Sequence, residues 1–135
     1  PPVTPPVFPA SRTVDRFNDL WTANRFTSAC SAIIVRDSRY DIDGKSSLLV
    51  CEPVHNLIHR SLLTPLGATF AARRAIGEEQ TEWFRSTDPW SRPVFVDNGP
   101  DGAMYVADMY RQFIEHTEWI PLSWQERIDV RAGEG

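Results

Sequence analysis

The chain of 135 residues contains two cysteines, one lysine and no long apolar run. No stretch approaches the roughly 18 apolar residues that a transmembrane helix requires, so we predict no membrane span. The formal net charge of −4 argues against a nucleic-acid partner, because binding to phosphates depends on concentrated positive charge. Apart from Lys45, the basic side chains are arginines or histidines, and the planar guanidinium of arginine favours fixed pairing with carboxylates.

The two cysteines, Cys30 and Cys51, show neither the spacing of a zinc site nor that of a haem attachment motif. Each lies in an apolar run that is typical of a strand. Neighbouring antiparallel strands could bring the two thiols together as a disulfide in an oxidising compartment. Two buried free thiols are the alternative, because free cysteine is among the most buried residue types. The sequence leaves both possibilities open.

Proline is concentrated at the N-terminus, where it supplies five of the first nine residues. Because proline disfavours helix and favours an extended chain, we predict residues 1–11 to be an extended lead-in and residues 12–135 to be the folded domain. The N-terminus lacks the basic stretch and apolar segment of a signal peptide. We expect the start of the parent protein to lie upstream, so this lack does not argue against secretion.

Short β-like runs alternate with turn signals about every ten residues, a pattern typical of antiparallel sheets. We predict a four-stranded meander within residues 28–76. Its expected strands are residues 31–36, 47–51, 57–63 and 69–76. Residues 78–85 are charged and fit either a short helical turn or a loop.

A second group of strands is expected within residues 93–116. It begins with a hairpin of strands 93–96 and 103–108, joined by the glycine-rich turn 98–102. Residues 123–130 remain undecided between helix and loop. The pattern as a whole predicts an all-β fold.

The turn Gly99-Pro100-Asp101-Gly102, the apolar strand after it and the closing Asp108 resemble the inner hairpin of a six-bladed β-propeller. Four blocks stand in the same order as in one family: NRFTSAC at 24–30, CEPVHNLIHR at 51–60, STDPW at 86–90 and DMYR at 108–111. Over about residues 12–135, the chain therefore resembles the membrane-bound dehydrogenase family of planctomycetes and verrucomicrobia. The propeller of that family is similar to quinone-dependent glucose and sorbosone dehydrogenases.

The resemblance implies antiparallel four-stranded sheets that form one to two blades of a six-bladed β-propeller. It implies a secreted, periplasmic or cell-surface sugar or alcohol dehydrogenase, an oxidoreductase with pyrroloquinoline quinone as its cofactor. Electrons would pass to haem c in a cytochrome c domain outside this chain, and that domain and the remaining blades would be its partners. The segment alone would be inactive. The alternative is a non-catalytic propeller segment that binds glycan or protein.

Oxidation of a hydroxyl group requires a base that takes its proton. We predict His55 as this base, because its ordinary pKa lies near neutrality, with Glu52 orienting it and Asp88 as a further catalytic candidate. The alternative is a structural histidine at the corner after Pro53. His55 and His59 have the spacing of a helical zinc pair, but this segment is predicted to be a strand, so no metal site is expected.

Three arginines are the expected cofactor-binding residues, because a guanidinium can hold a carboxylate through two hydrogen bonds: Arg60, Arg92 and Arg111. In the structural alternative, such arginines bridge blades by pairing with Asp88 and Asp108. Four tryptophans offer either a sugar-stacking surface or blade packing: Trp83, Trp90, Trp119 and Trp124.

Overall fold

The computed structural model describes residues 5–11, 24–40, 44–127 and 129. The first sheet is an antiparallel meander in the order β1-β2-β3-β4, and a short β5 also pairs with β3. Its strands are β1 (Cys30–Val35), β2 (Ser47–Glu52), β3 (Leu57–Leu66), β4 (Thr69–Arg74) and β5 (Phe84–Arg85). The predicted four-stranded meander is therefore confirmed, whereas β5 arises where the sequence suggested a helical turn or a loop.

The second sheet is a hairpin of β6 (Pro93–Asn98) and β7 (Met104–Asp108), as the glycine-rich turn predicted. Gly102 adopts φ +77° in this turn, a backbone conformation that residues other than glycine rarely take. Both sheets are antiparallel, and the all-β prediction is confirmed. Regular helix in the described residues is confined to short 3₁₀ turns and α1 (Leu122–Gln125), which overlaps the segment that the sequence left undecided.

The 3₁₀ turns cover Ser38–Tyr40, Pro53–His55 and Thr117–Trp119. The turn at Pro53–His55 joins β2 to β3, and Asn56 completes it with a left-handed φ of +57°. The described residues contain no helix that is both long and apolar enough to cross a membrane.

The main core lies between the two sheets. Val96 of β6 is fully buried against Val35, Leu49, Cys51 and Ile58 of the first sheet. Along β2, alternate side chains point to this core, which is the period of two that a half-buried strand requires. The second sheet therefore packs against the first mainly through β6, which contacts β1 and β2.

A β-bulge in β1 links the two sheets. Cys30 pairs with Cys51 and Ile33 with Leu49, so the register shifts at Ser31, which has a left-handed φ of +49°. The Ser31 hydroxyl oxygen accepts the Val96 N–H at 3.0 Å. Cys30 and Cys51 lie on neighbouring strands, as expected, and both are free thiols in this structure.

The N-terminal segment 5–11 lies against the first sheet. Val7 is buried, and its N–H donates to the Asn24 carbonyl at 2.8 Å. The Arg74 guanidinium lies 4.8 Å from the centre of the Phe8 ring and donates to the Pro6 carbonyl at 2.7 Å. This proline-rich segment is therefore fixed by specific contacts with the β-sheet.

Candidate functional site

Glu52 stands at the end of β2 and is completely buried. Its carboxylate accepts the main-chain N–H groups of Thr27 and Ser28, each at 3.0 Å from Oε2. A buried carboxylate needs such donors to offset the loss of water. Glu52 therefore holds the segment before β1 against the end of β2.

His55 lies in the 3₁₀ turn after β2 and is 4% exposed. Its Nε2 is 3.0 Å from the main-chain nitrogen of Asn24, and this atom must accept, because an amide N–H can only donate. Nδ1 therefore carries the proton and faces Glu52 Oε1 at 3.4 Å. The lone pair that a general base would use is engaged with the main chain, a contact typical of a structural histidine. The predicted catalytic roles of His55 and Glu52 remain predictions.

Arg60 lies on β3 and faces the turn after β4. Its Nε donates to Glu78 Oε2 at 3.2 Å, and its Nη2 donates to Oε1 of the same carboxylate. Both groups are largely buried. Arg60 therefore binds a carboxylate of its own chain, that of Glu78, through two hydrogen bonds.

Arg92 is 6% exposed and bridges two distant parts of the chain. Nη1 donates to the carbonyls of Pro53 at 2.9 Å and Val54 at 3.2 Å. Nε donates to the Arg111 carbonyl at 2.9 Å and Nη2 to that of Gln112 at 2.5 Å. Burial lowers the pKa of Arg92 from its ordinary value. Its guanidinium therefore ties the corner after β2 to the segment after β7.

These contacts bear on the quinone cofactor that the family resemblance implied. A cofactor carboxylate would have to displace Glu78 from Arg60, or main-chain carbonyls from the buried Arg92. Neither arginine fits that group in this structure. Arg111, the third predicted arginine, is half-buried beside the exposed Tyr110, and its predicted role in binding a cofactor remains a prediction.

A group of carboxylates and aromatic rings lies beside the second sheet, in which two members are half-buried and two are exposed. It consists of Asp88, Trp90, Asp108 and Tyr110 and is called the Asp88 cluster below. Asp88 Oδ2 accepts the Tyr110 hydroxyl at 3.0 Å, and Oδ1 accepts the Trp90 N–H at 2.9 Å. The Trp90 and Tyr110 rings are 5.8 Å apart between centres. The hydrogen bond from Tyr110 to Asp88, together with the charge of Asp88, raises the pKa of Tyr110.

The backbone of Tyr110 is held in an unfavourable conformation. Its φ is +48°, which a large side chain rarely adopts, and its side chain is exposed. Asp108 supports this conformation, because Oδ1 accepts the N–H groups of Tyr110 at 2.9 Å and Arg92 at 2.6 Å, while Oδ2 accepts the Ser91 hydroxyl at 2.8 Å. Outliers of this kind concentrate at ligand-binding sites.

The Asp88 cluster has the chemistry that binds hydroxylated compounds. Each Asp88 oxygen retains acceptor capacity for a hydroxyl group beyond its one protein contact. An aromatic ring presents a flat apolar face beside these acceptors. The sequence identified Asp88 and Trp90 but missed Tyr110, although an aromatic residue two positions after the strand-closing Asp108 was a signal for it.

A family model described as a domain of unknown function, DUF7133, matches residues 1–135. The chain belongs to this family. No curated protein and no solved structure matches it. The contacts described above are therefore the basis for assigning a role to this DUF7133 chain.

This DUF7133 chain also contains a buried polar network that the sequence did not suggest. His59 Nδ1 lies 2.8 Å from Glu82 Oε2, and its Nε2 lies 2.9 Å from the Ser61 hydroxyl oxygen. Glu82 Oε1 accepts from Arg74 and from the Phe8 N–H, each at 2.9 Å. Burial would raise the pKa of Glu82, but the hydrogen bonds from His59, Arg74 and Phe8 lower it overall. The network attaches the N-terminal segment to the first sheet.

Proposed function

We propose that this chain is one to two blades of a β-propeller in a secreted or periplasmic sugar or alcohol dehydrogenase-like protein, and that the hydroxylated substrate binds at the Asp88 cluster. One observation carries the proposal: Asp88 is held by an exposed tyrosine beside a tryptophan ring, at the end of the second sheet. Polar groups at strand ends are where a propeller collects a small-molecule site.

The propeller interpretation is supported by the packing of two antiparallel sheets through Val96. It is also supported by the apolar side chains that both sheets leave exposed. Phe70 of β4 and Tyr105 of β7 are more than half exposed, on strands with one unpaired edge among the described residues. In the proposal, the remaining blades of the parent protein cover these surfaces.

In this site, Asp88 is the group that takes the hydroxyl proton. The alcohol carbon loses a hydride and the oxygen loses a proton, which leaves a carbonyl group. The hydride acceptor, like the cytochrome c domain that receives the electrons, lies outside this chain. Asp88 suits the role better than His55, whose acceptor nitrogen is engaged with the Asn24 N–H.

The test is reduction of haem in the parent protein with its cytochrome c domain after a sugar or alcohol is added. We expect Asp88→Asn to slow reduction roughly a hundredfold or more, the usual scale for loss of a general base. The matched control is His55→Gln, which should lower the Tm but leave the rate per folded molecule unchanged. An unchanged rate in Asp88→Asn, or a collapse in His55→Gln alone, contradicts the assignment of Asp88.

A second candidate function is glycan binding without catalysis. It is favoured by one specific observation: His55, Arg60 and Arg92 are all engaged in internal contacts that hold the chain together. Under this alternative, a sugar changes the tryptophan fluorescence of the parent protein, Trp90→Ala removes the change, and no sugar or alcohol reduces haem.

A further inference from the structure

The two cysteines lie directly opposite each other on antiparallel strands. Cys30 of β1 is the register partner of Cys51 of β2. Opposite residues in such a pair have Cα atoms about 4.5–5.5 Å apart. A disulfide requires a Cα separation of about 4.4–6.8 Å, so the strand pairing places the two residues within bonding reach.

Both sulfur atoms lie on the same side of the sheet. Cys51 belongs to the buried core under Val96, and Cys30 packs against the same core. The Cys30 thiol also lies 3.5 Å from the carbonyl of Val94 in β6, to which it donates. The pair therefore sits at the junction of the two sheets, where β6 covers it.

We propose that Cys30 and Cys51 form a cross-strand disulfide in an oxidising compartment, and that it forms before β6 packs over β1 and β2. The oxidant is a small-molecule disulfide such as glutathione disulfide. One cysteine thiolate attacks it and releases one glutathione thiol, and the second cysteine then displaces the other. Two cysteine thiols are oxidised, and one glutathione disulfide is reduced to two thiols.

The order of events follows from access and reactivity. Cys51 is completely buried in the folded chain, and the half-buried Cys30 thiol donates to the Val94 carbonyl of β6, so both thiols are shielded from an oxidant there. Burial and the nearby Cys30 also raise the pKa of Cys51 to about 12, which leaves little of the thiolate that reacts. The restrictions that come from burial are absent while β1 and β2 are paired but still uncovered.

The first test is export of the parent protein to the bacterial periplasm, followed by alkylation without reductant and digestion. We expect one linked peptide pair that contains Cys30 and Cys51, with neither residue alkylated. The same protein retained in the reducing cytosol is the control and should show two alkylated cysteines. Two alkylated cysteines in the exported protein overturn the proposal.

The second test concerns the order of events. Folded, reduced parent protein is incubated in a glutathione redox buffer, and the same protein is refolded from denaturant in that buffer. We expect the linked pair at least tenfold sooner in the refolding sample. Equal rates overturn the claim that the bond precedes packing by β6.

A matched variant separates intramolecular bonding from general thiol oxidation. Cys30→Ser leaves Cys51 without its partner, so refolding should give a single free thiol or a single glutathione adduct. In the unsubstituted protein, the oxidised form should have a Tm about 10 °C above the reduced form, because the bond closes a loop of the unfolded chain. No difference in Tm argues against a bond in the native register.

Discussion

The two sheets use their polar side chains in different ways. In the first sheet and its connections, Glu52 and Glu82 are completely buried, and each carboxylate accepts main-chain N–H groups from segments far away in the sequence. Beside the second sheet, Asp88 is only half-buried and accepts a hydrogen bond from the exposed side chain of Tyr110. The buried groups hold the architecture together, whereas the Asp88 cluster is the place where we propose that a ligand binds.

The largest expected effect on stability comes from Arg92, whose contacts hold distant segments of the chain together. Arg92→Ala removes the buried guanidinium together with its four hydrogen bonds. The main-chain carbonyls that accepted these bonds then lose their donors. We expect a loss of about 3–5 kcal/mol in the free energy of unfolding, measured by urea titration. Arg92→Lys keeps the charge but not the forked geometry, so it should recover only part of the loss. A change below about 1 kcal/mol, the size of one weak hydrogen bond, would show that Arg92 does not hold these segments together.

The next effect concerns Glu82 and acid. Its folded pKa is lower than in the unfolded chain, so its stabilising contribution is complete above the ordinary value of about 4.3 and is lost as the pH falls through the folded pKa. We expect Glu82→Gln to cost about 2 kcal/mol at pH 7. The cost should shrink as the pH is lowered from about 7 through the folded pKa of Glu82. Urea titrations of both proteins across this range measure it, and a cost independent of pH contradicts the ionic role of Glu82.

A smaller effect is expected in the hairpin turns, where the two sheets can be compared directly. Gly67 joins β3 to β4 with φ +60°, and Gly102 lies between β6 and β7 with φ +77°. Alanine at either position should cost about 1–2 kcal/mol because of its Cβ atom. The cost should be only slightly greater at Gly102, because a Cβ there would displace the exposed and flexible Arg39 guanidinium, whereas the space beside Gly67 is open. The stability of the two variants by thermal unfolding tests this order.

The smallest effect on stability is expected in the Asp88 cluster. Tyr110→Phe removes only the exposed hydrogen bond to Asp88, so the urea midpoint should not change measurably. Substrate binding by the parent protein should nevertheless weaken by about fivefold, because Asp88 loses the contact that orients it. If Tyr110→Phe clearly lowered the stability and left binding unchanged, the role of Tyr110 would be to hold the fold together instead.

The sequence alone was enough to predict the strands that local residue patterns mark. Alternating apolar residues and glycine-rich turns predicted β1 to β4 and the β6–β7 hairpin. The pairing of Cys30 with Cys51 followed from the same strands. The short β5 escaped prediction, because two residues have no periodicity and their pairing with Leu57 and Ile58 depends on the turns after β4.

The site was harder to predict, because its contacts join residues that are far apart in sequence. His59 meets Glu82 across 23 positions, and no local pattern signals that distance. Arg92 was recognised as important, but its choice of main-chain carbonyls over Asp88 depends on where the segment after β7 passes. Residue type indicated which groups needed a partner, and only the fold determined which partner each received.

The hydrogen bonds of Arg92 also determine how the chain unfolds. Its guanidinium contacts carbonyls that lie 39 positions before it and 20 positions after it, so it cannot be satisfied by either sheet alone. Partial unfolding that detaches the hairpin would leave a buried cation without half of its acceptors. The two sheets should therefore unfold as a single cooperative unit, and their amide protons should exchange with solvent through the same global opening.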